Sequence, residues 1–293
     1  MVDLAVIIVN FNTKGKLREC LRSVFASQTQ FSFEVWVVDN ASSDGSVGMI
    51  KAEFPPVKLI ENKENAGFAK ANNQALRKAQ GRYFLLLNSD VEVSAGSFDK
   101  MLAYMDNNPM VGASGCRVMK ADGTLDKACR RSFPNPVNSF FRLTGLSFLF
   151  PRSRTAASYN LTYLPEDKIT EVDSVMGAFF LIRRDTVDRI GLLDEDFFMY
   201  GEDLDWCFRI KAAGYRVMYV PVTSVIHHKG SSSRKLPQKA LYEFHRAMEL
   251  FYNKHYRAKY NFLLNLIAYA GIWLRYAVLA AANSLRQKKY VSR

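Results

Sequence analysis

Short apolar runs alternate with helix-spaced segments through the first hundred residues. The runs at 4–9, 34–38, 57–60 and 83–87 read as strands, and 14–27, 44–53 and 67–80 between them carry apolar residues at helical spacing. Asp44 and Asn65 stand where the second and third helices begin. Strands and helices alternating in this way predict β-α-β units around a mostly parallel sheet flanked by helices, an α/β fold of the Rossmann-like kind. The stretch 117–172 has no such rhythm: Pro134, Pro136, Pro151 and Pro165 interrupt it, and irregular structure with short helices is expected. Order returns at 173–182, which reads as one buried strand with small residues at its centre. It is followed by a helix from about Asp203 to Ala213 and a strand over 219–226.

Ligands of open α/β sheets bind outside the carboxyl ends of the strands, so the residues ending each run come first. They are Asn10 and Asn12 after the first, Asp39, Asn40 and Asp44 after the second, Asn65 and Gly67 after the third, and Asn88 and Asp90 after the fourth. Asp, Asn and Gly also make ordinary turns and helix caps, and each residue alone is explained that way. Four strand ends bearing them in succession instead suit a nucleotide. It needs carboxylates or amides for base and ribose hydroxyls, small residues for close backbone approach, and a metal for its diphosphate. No G-x-G-x-x-G follows the first strand and no G-x-x-x-x-G-K-[ST] occurs, which excludes the usual dinucleotide and P-loop cradles. Asp90 with a divalent ion, Mn²⁺ or Mg²⁺, is the expected phosphate anchor.

Six carboxylates crowd twelve residues at Asp194, Glu195, Asp196, Glu202, Asp203 and Asp205, among Phe197, Phe198, Met199, Tyr200 and Trp206. Like charges so close repel unless solvated, paired or used. Asp203, in the first turn of a helix whose dipole favours its ionised form, is the candidate general base, with Glu202 and Asp205 as alternatives. His227 and His228 alternate on an extended segment, so only one reaches a metal.

The net charge of +12 invites a nucleic-acid reading, which its distribution removes. Residues 229–293 hold 13 Lys or Arg against Glu243 and Glu249, a balance of +11, so the basic character belongs to the tail. Within that tail, 262–282 is apolar and long enough to cross a bilayer, but Asn265 and Arg275 interrupt it. Helical geometry places Asn261, Asn265, Arg275, Asn283 and Arg286 on one stripe, away from Leu263, Leu266, Ile267, Ala270 and Trp273. A helix lying in the interface of an anionic membrane follows, with the flanking Lys and Arg adding attraction. The alternative is packing of the same face on the catalytic domain or in a homo-oligomer. Cys20, Cys116, Cys129 and Cys207 show no zinc spacing, and no secretory signal opens the chain, so reduced thiols and a cytoplasmic location at the inner face of the membrane are expected.

With these residues in place, the chain resembles family 2 of the inverting glycosyltransferases, with the GT-A fold, and in particular its rhamnosyltransferase-like members. The matching blocks are V-I-I-V-N-F-N at 6–12, V-V-D-N-A-S-S-D-G-S at 37–46, N-A-G-F-A-K-A-N-N at 65–73 and L-L-L-N-S-D at 85–90. They continue with G-A-F-F-L-I-R-R at 177–184, L-D-E-D-F-F-M-Y-G-E-D-L-D at 193–205 and H-H-K-G-S-S at 227–232. The resemblance implies a GT-A catalytic domain over 1–232, with a nucleotide-binding half at 1–116 and an acceptor-binding, catalytic half at 117–232, then a basic helical region over 233–293. It implies that Asp39 reads the base, that Asp90 is the surviving ligand of a D-x-D motif and His227 completes the metal site, and that Asp203 is the catalytic base. Asn10, Asn12, Asn40, Asp44, Asn65, Gly67, Asn88, Gly177 and Glu202 complete the donor site. Asn88, where the motif has its first Asp, is the departure. Arg130, Arg131, Phe133 and Pro134 look like an R-R-x-P region suited to a phosphate. The implied partners are a nucleotide-sugar donor, first dTDP-L-rhamnose, and a glycan or lipid-linked glycan acceptor at the cytoplasmic membrane surface, with no nucleic acid. Other classes compatible with the fold are a non-catalytic nucleotide-sugar-binding scaffold and a sugar nucleotidyltransferase; Val9–Thr13 lacks the latter's glycine-rich loop.

Overall fold

The computed structural model describes residues 1–228 and 237–285. Its first half follows the alternating pattern: β1 (Val2–Asn10), α1 (Lys14–Phe25), β2 (Phe33–Asp39), α2 (Ser46–Glu53), β3 (Lys58–Glu61), α3 (Phe68–Leu76) and β4 (Gly81–Asn88). Then come β5 (Val91–Val93), α4 (Ser97–Asp106), β6 (Val111–Lys120), β7 (Arg130–Arg131), α5 (Pro136–Leu143) and α6 (Leu146–Leu149). The second half holds β8 (Thr170–Glu171), β9 (Ser174–Val175), β10 (Phe179–Arg183), α7 (Arg184–Ile190), α8 (Glu202–Ala212), β11 (Arg216–His227), α9 (Pro237–His255) and α10 (Phe262–Ser284).

The main sheet runs β3-β2-β1-β4-β10-β6-β11-β5, with β8 on β11, while β7 and β9 pair separately. β1 to β4 are mutually parallel, as are β6 and β11, and β10 is inserted antiparallel between the two blocks. Helices cover both faces, which is why the strands read as continuous apolar runs: Leu4 to Ile8, Leu85 to Leu87 and Phe179 to Ile182 are all buried. Each helix of the first half buries one stripe against this layer, as Leu17, Cys20, Leu21 and Val24 of α1 do. All four cysteines are buried free thiols.

The run at 173–182 divides into β9 and β10. Its centre leaves the ladder because the Asn88 N–H bonds the Ala178 carbonyl and the Gly177 N–H turns toward Asp203. The expected domain boundary at 232 lies outside the described residues. Beyond it, α9 packs on α8 through a second core of Phe197, Leu204, Ala247 and Phe251. α10 folds back along α9, bonded from Tyr252–Asn265 at one end to His245–Arg275 at the other.

Candidate active site

One cleft of about 710 Å³ opens at the carboxyl ends of β1 and β4 and runs to α9 and α10. Asn40, Asn65, Gly67, Asn88, Asp90, Gly177, Glu202, Asp203 and His227 line it. Asn10, Asn12, Asp39 and Asp44 do not border the cleft and stand behind its wall. Asn10 donates to Asp39 Oδ1 at 2.7 Å and to Ser42 Oγ at 3.0 Å, and Asp39 Oδ2 takes the Ser42 N–H. Asn12 accepts the Ser43 N–H, and Asp44 accepts the N–H groups of Lys14 and Ser46, joining the starts of α1 and α2. Gly67 is fixed by a close approach: at φ +85° a Cβ there would stand 2.6 Å from the Phe198 carbonyl oxygen, which the Phe68 N–H bonds.

Strand pairing builds the acid–histidine cluster. β5 follows directly on the Asn88-Ser89-Asp90 turn and pairs with the end of β11, placing His227 opposite Val91 and the His228 N–H on the Asp90 carbonyl. His227 Nε2 lies 3.1 Å from Asp90 Oδ1 and 3.5 Å from Asn88 Nδ2. Its other nitrogen, Nδ1, faces Asp126 Oδ2 at 3.8 Å. Burial alone would lower the His227 pKa, but Asp126 and Asp90 raise it to about 9. A carboxylate, an imidazole nitrogen and an amide converge here, and rotating the Asn88 amide presents its oxygen to the same point. That donor set suits a hard or borderline divalent ion, with the Asp126 carboxylate on the far side of the imidazole. His228, on the opposite side of the strand, bonds Glu92 at 2.5 Å instead.

Across the cleft, Tyr200 and Gly201 are left-handed at φ +70° and +80° and turn the chain into α8, so that Glu202 and Asp203 open the helix beside the cavity. A tyrosine held there stores strain of about 1–3 kcal/mol, as residues at functional sites commonly do. Asp203 Oδ2 accepts from Arg131 at 2.7 Å and from the Gly177 N–H at 3.0 Å, and Oδ1 accepts from the Leu204 N–H at 2.7 Å. Glu202 is buried beside it, and burial, then the Asp203 charge, push its carboxyl well above the usual carboxylate range. Its Oε2 has no hydrogen-bond partner among the described residues. Asp205 is fully buried on the other side of α8, bonded to Arg209, Lys254 and His255, away from the cleft.

The R-R-x-P arginines are both held by partners within the chain, and Arg131 borders the cleft. Arg131 holds Asp203, and Arg130 donates to the carbonyls of Leu164 and Pro165. Sequence reasoning passed over Asp126, a lone acid in a polar turn with no local signal. It also passed over Arg142, which lines the cleft from α5, within the stretch whose prolines predict irregular structure.

The profile of Glycosyl transferase family 2 matches residues 5–191, more than half of the chain. An N-acetylglucosaminyl-diphospho-decaprenol L-rhamnosyltransferase of Mycobacterium tuberculosis is 27% identical over 259 residues, spanning 85% of this chain and 83% of that protein. The rhamnosyltransferase WbbL of Escherichia coli K12 is 29% identical over 184 residues, 59% of this chain and 65% of WbbL. Among solved structures, the mannosyltransferase PcManGT of Pyrobaculum calidifontis, in complex with GDP-Man and Mn²⁺, superimposes with a TM-score of 0.59 at 19% identity, over 98% of this chain and 76% of that one. Staphylococcus aureus TarS 1-349 does so with a TM-score of 0.55 at 16% identity, over 99% and 76%. The sheet order, the cleft at its carboxyl edge and these likenesses agree, and the chain belongs to glycosyl transferase family 2 with the GT-A fold.

Proposed function

We propose that this glycosyltransferase moves L-rhamnose from dTDP-rhamnose, with inversion, onto a hydroxyl of a lipid-linked glycan at the inner face of the membrane. The observation that carries the reading is that Asp203 and the Asn88–Asp90–His227 cluster line one cleft. The names of the mycobacterial and Escherichia coli relatives support the sugar, and the former supports a lipid-diphosphate acceptor.

Asn40, Asn65 and Gly67 border the donor side, with Asn10, Asn12, Asp39 and Asp44 shaping the loops behind them. Asp90 and His227, with the Asn88 amide, would hold Mn²⁺ or Mg²⁺, which when bound neutralises charge developing on the donor diphosphate. Asp203 takes the proton of the attacking acceptor hydroxyl. The Leu204 N–H uses one lone pair of Oδ1 and leaves another. Arg131 and the Gly177 N–H fix Oδ2 and so the plane of the carboxylate, while burial and the Asp203 charge push the Glu202 carboxyl upward and so disfavour a second charge beside the base. Outside the cleft, α10 turns Leu266, Leu274 and Val278 outward, a face suited to the bilayer interface.

The test is a panel of radiolabelled nucleotide sugars with purified protein, assayed for transfer and for donor hydrolysis in Mn²⁺, Mg²⁺ and EDTA. Turnover of dTDP-rhamnose above all others, lost in EDTA, is expected. Binding without turnover of any donor would make the protein a scaffold, and nucleotide triphosphate consumption would make it a nucleotidyltransferase.

A further inference from the structure

The segment 136–150 turns its apolar side chains outward. In α5 the buried residue is Asn138, whose side chain closes a capping box with Asn135, while Val137, Phe140 and Leu143 are exposed. α6 buries none of its four residues. The two short helices pack on each other and lead into Phe150. Leu149 is 71% exposed, and Phe140, Phe148 and Phe150 are 56% exposed each. A helix packed on its own domain buries its apolar stripe, and these do the reverse; apolar side chains grouped in water in this way mark a contact surface.

Charge identifies the partner. No Asp or Glu stands between Asp126 and Glu166. Arg152 and Arg154, directly after the patch, are exposed, as is Lys127, whose Nζ lies 6.0 Å from the centre of the Phe148 ring. Aromatic and aliphatic side chains fringed by cations suit the interface of an anionic bilayer, where acyl chains take the former and lipid phosphates the latter. A second copy meeting this face across a two-fold axis would set the same cations against each other, in a chain of net charge +12. The position of the patch agrees. Phe140 and Leu143 of α5 and Leu264 and Ile267 of α10 are exposed and also line the cleft, so both helices rim its mouth. Resting on the membrane location proposed above, we infer that α5 and α6 form a second membrane contact beside α10, which seats Phe148, Leu149 and Phe150 in the interface of an anionic bilayer and turns the mouth of the cleft toward it. Two contacts on one body reinforce each other, so loss of either releases the protein.

The test uses the full chain carrying an environment-sensitive thiol fluorophore at Leu149→Cys or, as a control, at Met110→Cys; the four native thiols are buried. Met110 is 58% exposed and precedes β6, which runs parallel to β4, so it lies at the edge of the sheet away from the cleft. With phosphatidylglycerol vesicles the Leu149 label should shift to the blue and become shielded from iodide, while the Met110 label stays unchanged. Leu149→Glu with Phe150→Glu should weaken vesicle binding about tenfold at wild-type Tm and donor hydrolysis. Arg152→Glu with Arg154→Glu should weaken it about tenfold as well. A chain that floats with the vesicles while its Leu149 label stays open to iodide would overturn the inference and leave α10 as the membrane contact. Equal affinity for phosphatidylcholine vesicles would overturn it too, because the cations would then contribute nothing. So would a blue shift that follows protein concentration without lipid, which would assign the patch to a second copy. A wild type that floats with neither vesicle defeats the membrane location itself, and the inference with it.

Discussion

Replacing Asp205 with Asn should damage the fold and spare the chemistry, although Asp205 sits two residues from the proposed base in the same acidic run. Its side chain is fully buried and takes Arg209 at 2.8 Å, Lys254 at 2.9 Å and His255 at 2.8 Å, so it ties α8 to the end of α9. An Asn turns an NH₂ toward at least one of those donors and removes the charge all three face. Breaking a buried pair costs about 3–5 kcal/mol, and since Arg209 and Lys254 are partly exposed and can rehydrate, about 2–3 kcal/mol is expected. For a chain of 293 residues that lowers Tm by about 3–5 °C. Burial alone would raise the Asp205 pKa, but the His255 hydrogen bond and the Arg209 charge bring it far below the usual range. A depressed folded-state value means the stabilisation is complete above the unfolded-state pKa near 3.9 and is lost as pH falls below it. The gap in Tm between wild type and Asp205→Asn should thus be full above about pH 5 and close on acidification. Calorimetry across pH 3–8, with rhamnosyl transfer measured well below either Tm, decides the matter. An unchanged Tm with transfer reduced a hundredfold would make Asp205 the base and refute the assignment of Asp203.

Asp203→Asn, by contrast, should lower transfer about 10²–10⁴-fold, the usual worth of a general base, with donor affinity within threefold by titration. Asp90→Ala should weaken donor binding in Mn²⁺ and leave the residual activity indifferent to metal, and full activity of wild type in excess EDTA would sink the metal assignment. Leu266→Glu with Leu274→Glu, two outward positions of α10 that do not border the cleft, should abolish flotation with phosphatidylglycerol liposomes at unchanged Tm. A fall in Tm of several degrees would instead show that the face packs on protein.

The parts legible in the sequence are those whose cause is local. β1, β2, β3 and β4 announce themselves because a parallel sheet covered on both faces needs unbroken apolar runs, and Asp90 and His227 because they end strands. What stayed hidden depends on partners far along the chain. Nothing near Gly177 says that its N–H leaves the ladder for a carboxylate 26 residues on, so 173–182 reads as one strand. The acidic run is uniform in sequence, yet folding gives Asp194 to Lys254, Glu195 to Arg77 and Asp205 to α9, and leaves Glu202 and Asp203 at the cleft. Arg131 was visible as part of a motif, but its bond to Asp203 crosses 72 residues.

The last helix shows how the same polar stripe changes meaning once its neighbour is known. In sequence, Asn265, Arg275 and Asn283 argue against a spanning helix because they would face lipid. In the fold, Asn265 and Arg275 face inward, to Tyr252 and His245 of α9, and Asn283 is buried. The 23-residue helix is long and apolar enough to cross a bilayer, so neither its length nor this inward-facing stripe excludes spanning. α9 does. Asn253 bonds Tyr269 and Glu249 bonds Trp273, so inserting α10 upright would drag α9, with Glu249, Arg246 and Lys254, into hydrocarbon or tear the pair apart. Submerging only the outer face, where Leu263, Leu266, Leu274 and Val278 are exposed, breaks none of these bonds and removes apolar surface from water. Truncation after Tyr256 would remove both that face and the partners of Tyr252, Asn253, Glu249 and His245. It would mix membrane release with loss of stability, whereas substitutions confined to the outward positions separate the two.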